Sequence, residues 1–267
     1  MKKIPEYLER IISCWELSVP SHMFPERKIH SYCVGASKTG TTSIARVFSK
    51  LHSAHQPDSH HYAELYLALK NKVIEESDVV RYFVSRDNFF KYDMESTHLA
   101  YFSVDIFVSI FTEAKFILTV RDCYSWLNSM INQQLNAFLG GYWRLLRDLK
   151  LKIPTAIYAE QEKVLEKYGL YTLDQYLSYW SEHNKKMVTT IPKERLMIVK
   201  TDDVSKRLEE IADFVGIERS SLVNAKPGNV AQKDWRILDE IDRDFILEKI
   251  EFHCGEVISK YFNDLHV

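Results

Sequence analysis

The stretch S31-Y-C-V-G-A-S-K-T-G-T-T-S43 decides how the chain is read. SYCVG (31–35) is a short apolar run that stops at Gly35, the pattern of a buried strand. ASKTGTTS (36–43) is a turn of small residues, after which Ile44, Val47, Phe48 and Leu51 recur at helical spacing. Strand, turn and helix in that order open an α/β unit. At such a turn the backbone N–H groups and the helix dipole favour a bound phosphate. Lys38 adds a mobile positive charge, and Thr41, Thr42 and Ser43 put hydroxyl donors on the first helical turn. Ser37, Lys38, Thr39, Gly40, Thr41, Thr42 and Ser43 are therefore the candidate phosphate-binding positions. The plainer alternative is a glycine-containing turn with a solvent-exposed lysine. A triphosphatase loop would read GxxxxGK[ST], with Lys directly after the second glycine. Here Thr41 follows Gly40 and Lys38 precedes it by two, so the order is wrong for that motif.

Outward from this unit the alternation continues. Ile4, Leu8, Ile11 and Trp15 mark an amphipathic surface helix before it. After it, NFFKYDM (88–94) reads as a strand and THLAYFSVDIFVSIF (97–111) as a largely buried helix. KFILTV (115–120) is the clearest strand, apolar or β-branched after its first residue, hence buried on both faces, parallel and central. Asp122 is placed to cap the next helix, which packs Trp126, Met130 and Ile131 inward. Residues 141–192 read as helices with a loop near Pro154. RLMIVK (195–200) is a last strand, and 203–215 and 235–262 are helical, with Gly216 ending the first. The expected architecture is a three-layer α/β/α fold with a central, mostly parallel sheet, in a single domain over 1–267.

Composition narrows the function. The 267 residues carry 35 Lys+Arg against 37 Asp+Glu, a net charge of -2, with 46% hydrophobic residues. That balance argues against a nucleic-acid binder working through a global positive field. The 8 glycines and 7 prolines exclude collagen-like and low-complexity chains. Cys14, Cys33, Cys123 and Cys254 are scattered without a CxxC pair, which suits neither a zinc site nor a disulfide framework. A reducing cytosol fits best. The most apolar stretch, 99–111, is too short to span a membrane and carries Asp105. No signal-peptide core follows the initial MKK, so a cytoplasmic protein is expected.

Two motifs together carry a resemblance. K38-T-G-T-T42 resembles the KTGTT or KSGTT loop of sulfotransferases that use 3′-phosphoadenosine-5′-phosphosulfate (PAPS), where it holds the 5′-phosphosulfate end. R121-D-C-Y-S-W-L-N-S129, directly after KFILTV, resembles the same family's 3′-phosphate motif. The resemblance assigns the 3′-phosphate to Arg121 and Ser129. Residues 179–203 and 207–217 extend it less specifically. It implies a P-loop-like sulfotransferase fold and transfer of a sulfuryl group from PAPS to a hydroxyl or amine, with release of PAP. Bacterial members with an AHEP-like loop match best; here the loop reads S53-A-H-Q-P57. The family's RKGxxGDWK closing loop is matched only loosely by KPGNVAQKDW (226–235), where Lys226 and Asn229 are candidate cofactor contacts in a lid over 226–234. Cys123 stands where proline is common and is expected to pack.

Transfer to a hydroxyl needs a base for the acceptor proton, and His is favoured near neutral pH. H52-S-A-H-Q-P-D-S-H-H-Y-A-E64 offers His52, His55, His60, His61 and Glu64. His55 fills the histidine place of the AHEP-like loop and is the first choice. Glu64, resembling the glutamate base of heparan-type members, is the second. The candidate catalytic residues are thus Lys38, His55 and Glu64. No metal is expected: a sulfuryl group concentrates less charge than a triphosphate, so Lys38 and backbone N–H groups suffice. The competing readings are a P-loop small-molecule kinase and a PAP/PAPS-binding module without transfer activity. The acceptor is expected to be a small molecule, carbohydrate or lipid, with Tyr62, Tyr66, Phe89, Phe90, Tyr101 and Tyr142 near the cleft. The oligomeric state is not legible.

Overall fold

The computed structural model of the protein describes residues 4–16, 26–137, 141–151, 157–224 and 233–262. Five strands form one parallel sheet: β1 (Ser31–Cys33), β2 (Ser53–His55), β3 (Met94–Ser96), β4 (Lys115–Val120) and β5 (Leu196–Lys200), in the order β2-β3-β1-β4-β5. β4 pairs with β1 on one side and β5 on the other, and every residue of it after Lys115 is buried. Its side chains alternate as the pleat requires. Phe116, Leu118 and Val120 enter one core, while Ile117 enters the other.

The two faces carry unequal layers. On one, α2 (Thr41–Val47) and α10 (Leu208–Val215) pack Ile44, Val47, Leu208 and Ile211 against Cys33, Ile117 and Val199. The larger layer contains α1 (Glu6–Ser13), α3 (Ser59–Lys70), α4 (Glu76–Phe90), α5 (Val104–Ile110), α6 (Cys123–Asn136), α7 (Gly141–Leu151), α8 (Lys163–Lys167), α9 (Leu173–Thr190) and α11 (Arg243–Tyr261). Cys123 is buried in this core, and burial pushes its thiol far above the usual range, which leaves it unreactive. Among the described residues no helix is long and apolar enough to cross a membrane.

Three local expectations need correction. Residues 88–90 are not strand but the last turn of α4, where Phe89 and Phe90 close on Trp15 at 4.9 and 4.6 Å between ring centroids. Lys91, at φ 51, turns the chain out of that helix and the strand begins only at Met94. The helix read over 97–111 is broken: a 3-10 segment (98–102) capped by Thr97 precedes α5, and the two meet at Ser103. Residues 53–57, read as an AHEP-like loop, instead open with edge strand β2.

One buried carboxylate registers three strands. Asp93 is 3% exposed; its Oδ1 accepts from the Lys28 and Ile29 N–H groups at 2.6 and 3.1 Å, and its Oδ2 from the His52 N–H at 3.0 Å. It thereby ties the entries to β1 and β2 to its own strand, β3. Asp93→Ala leaves three backbone donors without their acceptor, the Ile29 N–H buried and those of Lys28 and His52 partly so, each worth roughly 1–3 kcal/mol. The expected loss is about 3 kcal/mol or more, read as a lower urea midpoint. A loss under about 1 kcal/mol would show that water replaces the carboxylate.

Candidate active site

The carboxyl ends of the five strands converge on one edge, and the strand order reverses between β1 and β4. In open parallel sheets the crevice at that reversal is where ligands bind. Here the two diverging connections are the 35–40 loop and the segment that starts at Arg121.

The loop is held from behind. A Cβ on Gly35 would lie 2.0 Å from the Thr119 Oγ1 and 2.9 Å from the Thr119 carbonyl oxygen, so only glycine lets the loop lie this close to β4. Thr39 is wholly buried; its hydroxyl reaches the Ala36 carbonyl at 2.8 Å and Thr119 Oγ1 at 2.9 Å. Trp126 Nε1 donates to the Ser37 carbonyl at 2.9 Å, and Thr201 Oγ1 donates to the Thr39 carbonyl at 2.7 Å. The carbonyls of 36, 37 and 39 are therefore engaged by the body of the protein. Lys38 (φ 69) and Gly40 (φ 99) take left-handed conformations, which cost a non-glycine residue such as Lys38 energy. Gly40 precedes α2 without a side-chain cap, so the first N–H groups of that helix receive no capping side chain.

From β4, Arg121 extends over the first turn of α6. Its Nε donates to Ser125 Oγ at 3.2 Å, and its terminal nitrogens have no hydrogen-bond partner among the described residues. Asp122 caps α6 by accepting from the Ser125 N–H at 2.8 Å and also holds the Ser125 hydroxyl. α9 braces both connections: Trp180 Nε1 donates to the Arg121 carbonyl at 3.1 Å, and His183 Nε2 bonds the Val34 carbonyl at 2.9 Å. Burial pushes His183 down to about 3, so it is a neutral donor there.

These parts enclose a cavity of about 720 Å³. Ser37, Lys38, Gly40, Thr41, Thr42 and Ser43 line one wall, and Arg121, Ser125, Asn128 and Ser129 another. Thr39 does not face it and serves as the loop's anchor. Lys38 is held below the usual lysine range, first by burial and then by the charge of Arg121. The two cations therefore repel each other across a space that suits an anion.

His55 ends β2 and lines the cavity; its Nε2 lies 3.3 Å from Thr41 Oγ1 and 3.2 Å from Thr42 Oγ1. Gln56 (φ 52) and Asp58 (φ 49) turn the chain away immediately afterwards. Burial and the charge of Arg46 lower the His55 pKa below 6.5, so the ring is neutral at pH 7. Glu64 is half-buried on α3 and does not line the cavity. His52, His60 and His61 pack instead on Tyr92, Trp143 and Tyr82. Among the described residues no three His, Cys, Asp or Glu side chains gather to hold a metal. Lys226 and Asn229 lie outside the described residues, as does nearly all of the expected lid. Its far end is anchored: buried Asn132 donates to Asp234 Oδ1 at 2.9 Å and accepts from the Trp235 N–H at 2.8 Å.

The remaining wall differs from expectation. Tyr62, Tyr66, Phe89, Phe90 and Tyr101 do not line the cavity, and the Tyr142 side chain lies outside those described. The aromatic surface comes from Trp143 and Tyr179, joined by His98, Leu146, Arg147 and Lys150. No spacing in the sequence marks these residues, because α7 reaches the cavity only by packing on α3 and α9.

Several solved structures resemble the chain, two of them sulfotransferases. One is a sulfotransferase from Alicyclobacillus acidocaldarius, at 13% identity and TM-score 0.43, covering 84% of this chain and 95% of that one. The other is the sulfotransferase domain of the Synechococcus PCC 7002 olefin synthase, at 16% identity and TM-score 0.40, covering 86% of each. No curated protein matches the chain. The family model described as a sulfotransferase domain matches residues 32–223, well over half of the chain, including the 35–40 loop, His55, Arg121 and Ser129. On that match the chain belongs to the sulfotransferase family and is a sulfotransferase.

Proposed function

We propose that the protein takes the sulfuryl group from PAPS, passes it to a hydroxyl or amine of a small-molecule, carbohydrate or lipid acceptor, and releases PAP without a metal. The observation that carries this reading is the pair of cations Lys38 and Arg121, which line one cavity and sit close enough for the charge of Arg121 to lower the Lys38 pKa. A nucleotide with phosphate at both the 5′ and 3′ positions would bring an anion to each of the two cations. When bound, PAPS supplies an activated sulfuryl group on a phosphate leaving group.

The chain's own residues do the rest. Lys38 and the N–H groups at the start of α2 bind the 5′ end and stabilise negative charge left on its phosphate. The Arg121 fork and the Ser129 hydroxyl bind the 3′-phosphate. His55, neutral at pH 7, accepts the acceptor proton at Nε2. Asp122, committed to Ser125 at the start of α6, is not placed to serve as the metal carboxylate a kinase would need.

PAP titrated calorimetrically in the presence of EDTA is expected to bind in the micromolar range or tighter, and Lys38→Ala to bind at least about tenfold more weakly. Absent binding in EDTA, with tight binding of magnesium ATP, would replace this reading with the kinase.

A further inference from the structure

At the end of the cavity built by α7 and α9, Lys150 lacks the counter-ion its burial calls for. The residue is 8% exposed and lines the cavity. Its Nζ sits over two aromatic faces, 5.3 Å from the Phe102 ring centroid and 5.7 Å from that of Tyr179. Among the described residues no carboxylate, carbonyl or hydroxyl accepts a hydrogen bond from it. Aromatic faces offset part of the cost of burying an ammonium, yet they accept no conventional hydrogen bond from its N–H donors. Keeping that ammonium charged without a partner is costly, and an anion entering the cavity would offset the cost.

Its surroundings supply no anion. His98 bonds Gln56 through Nδ1 and is held neutral, well below the usual histidine range, first by burial and then by the charge of Lys150. Arg147, one turn earlier on α7, donates through Nε to the Tyr171 hydroxyl at 3.3 Å. His183 and Tyr179 on α9 are neutral, and α3 contributes His60 against Trp143. The lining carboxylates, Asp202 and Asp234, belong to other elements, near the end of β5 and the anchor on α6. Trp143, Leu146 and Tyr179 make the walls beside Lys150 apolar and partly aromatic.

We propose that this end of the cavity is an acidic-acceptor subsite, in which Lys150 pairs with a carboxylate of a hydroxylated, apolar or aromatic acceptor and thereby directs its hydroxyl toward His55. The inference rests on the sulfotransferase reading of the same cavity and narrows the acceptor to hydroxy acids. Geometry supports the direction: Lys150, His98 and His55 line the same cavity, so both ends adjoin one continuous space.

The test uses 4-hydroxyphenylacetate and its amide, titrated calorimetrically into the full-length protein loaded with PAP. The acid is expected to bind at least about tenfold more tightly than the amide, and Lys150→Met and Lys150→Gln to erase that preference. PAP binding, measured first in the wild type, reports the nucleotide end separately. If PAP does not bind, the sulfotransferase donor reading fails. If PAP binds and the acid is not preferred, or if both variants keep the preference, the subsite is refuted.

A second readout follows the proton. Burial pushes Lys150 down to about 7, so at pH 8 most of it is neutral, and an arriving carboxylate raises its affinity for a proton. Acid binding at pH 8 is therefore expected to take up on the order of one proton, seen as a dependence of the binding heat on buffer ionisation. The uptake should vanish in the Lys150 variants, whereas a lysine with only a packing role would show none in the wild type.

Discussion

Arg121→Ala is expected to weaken PAP binding by about tenfold to a hundredfold while changing the affinity for adenosine 5′-phosphosulfate little, because one charge-assisted phosphate contact is worth roughly 1.5–3 kcal/mol. The selectivity follows from how the side chain is held. Its Nε is committed to Ser125 and its backbone carbonyl to Trp180, while the residue lines the cavity. In the wild type the 3′-phosphate should account for most of the preference for PAP over adenosine 5′-phosphosulfate. Removing Arg121 also relieves its repulsion of Lys38, so 5′-end binding should not suffer with it. Calorimetry with both nucleotides decides the matter. Equal affinities in the wild type, or equal losses for both in the variant, would move the 3′-phosphate away from Arg121.

Local order made the wall built by the 35–40 loop and Arg121 legible in sequence. The strand, loop and helix at 31–48 are contiguous, and Arg121 and Ser129 sit directly after a strand buried on both faces. β2 was not legible because three half-buried residues on a sheet edge carry no apolar run. β3 was displaced to 88–94 because Phe89 and Phe90 are apolar for a different reason, the packing of α4 on Trp15. The wall built by α7 was illegible for a tertiary reason. Trp143 and Lys150 belong to a helix that sequence places about twenty residues beyond Arg121, and only its packing on α3 and α9 returns it to the cavity. A lysine also carries no mark of burial in its letter; the three-dimensional neighbourhood alone shows it.

His55→Ala is expected to bind PAP nearly as the wild type does and to lose turnover by about a hundredfold or more, the usual scale for a missing general base. The imidazole stands at the carboxyl end of β2, on the hydroxyls of Thr41 and Thr42, and so beside the loop that holds Lys38. Glu64→Gln is the control, since a glutamate base would put the large loss there; its place on α3, away from the cavity lining, predicts near-normal turnover. The pH profile separates the two further. A base must be deprotonated to act, and burial and Arg46 lower the His55 pKa below 6.5. kcat/KM in the wild type should therefore be level around pH 7 and fall only as the pH drops through that lowered value. The His55 variant should lose this limb along with its rate, whereas a histidine that merely supports Thr41 and Thr42 would leave the limb in place at reduced amplitude. If His55→Ala turns over normally and Glu64→Gln does not, the proton goes to Glu64, and the histidine serves only to hold the two threonines at the head of α2.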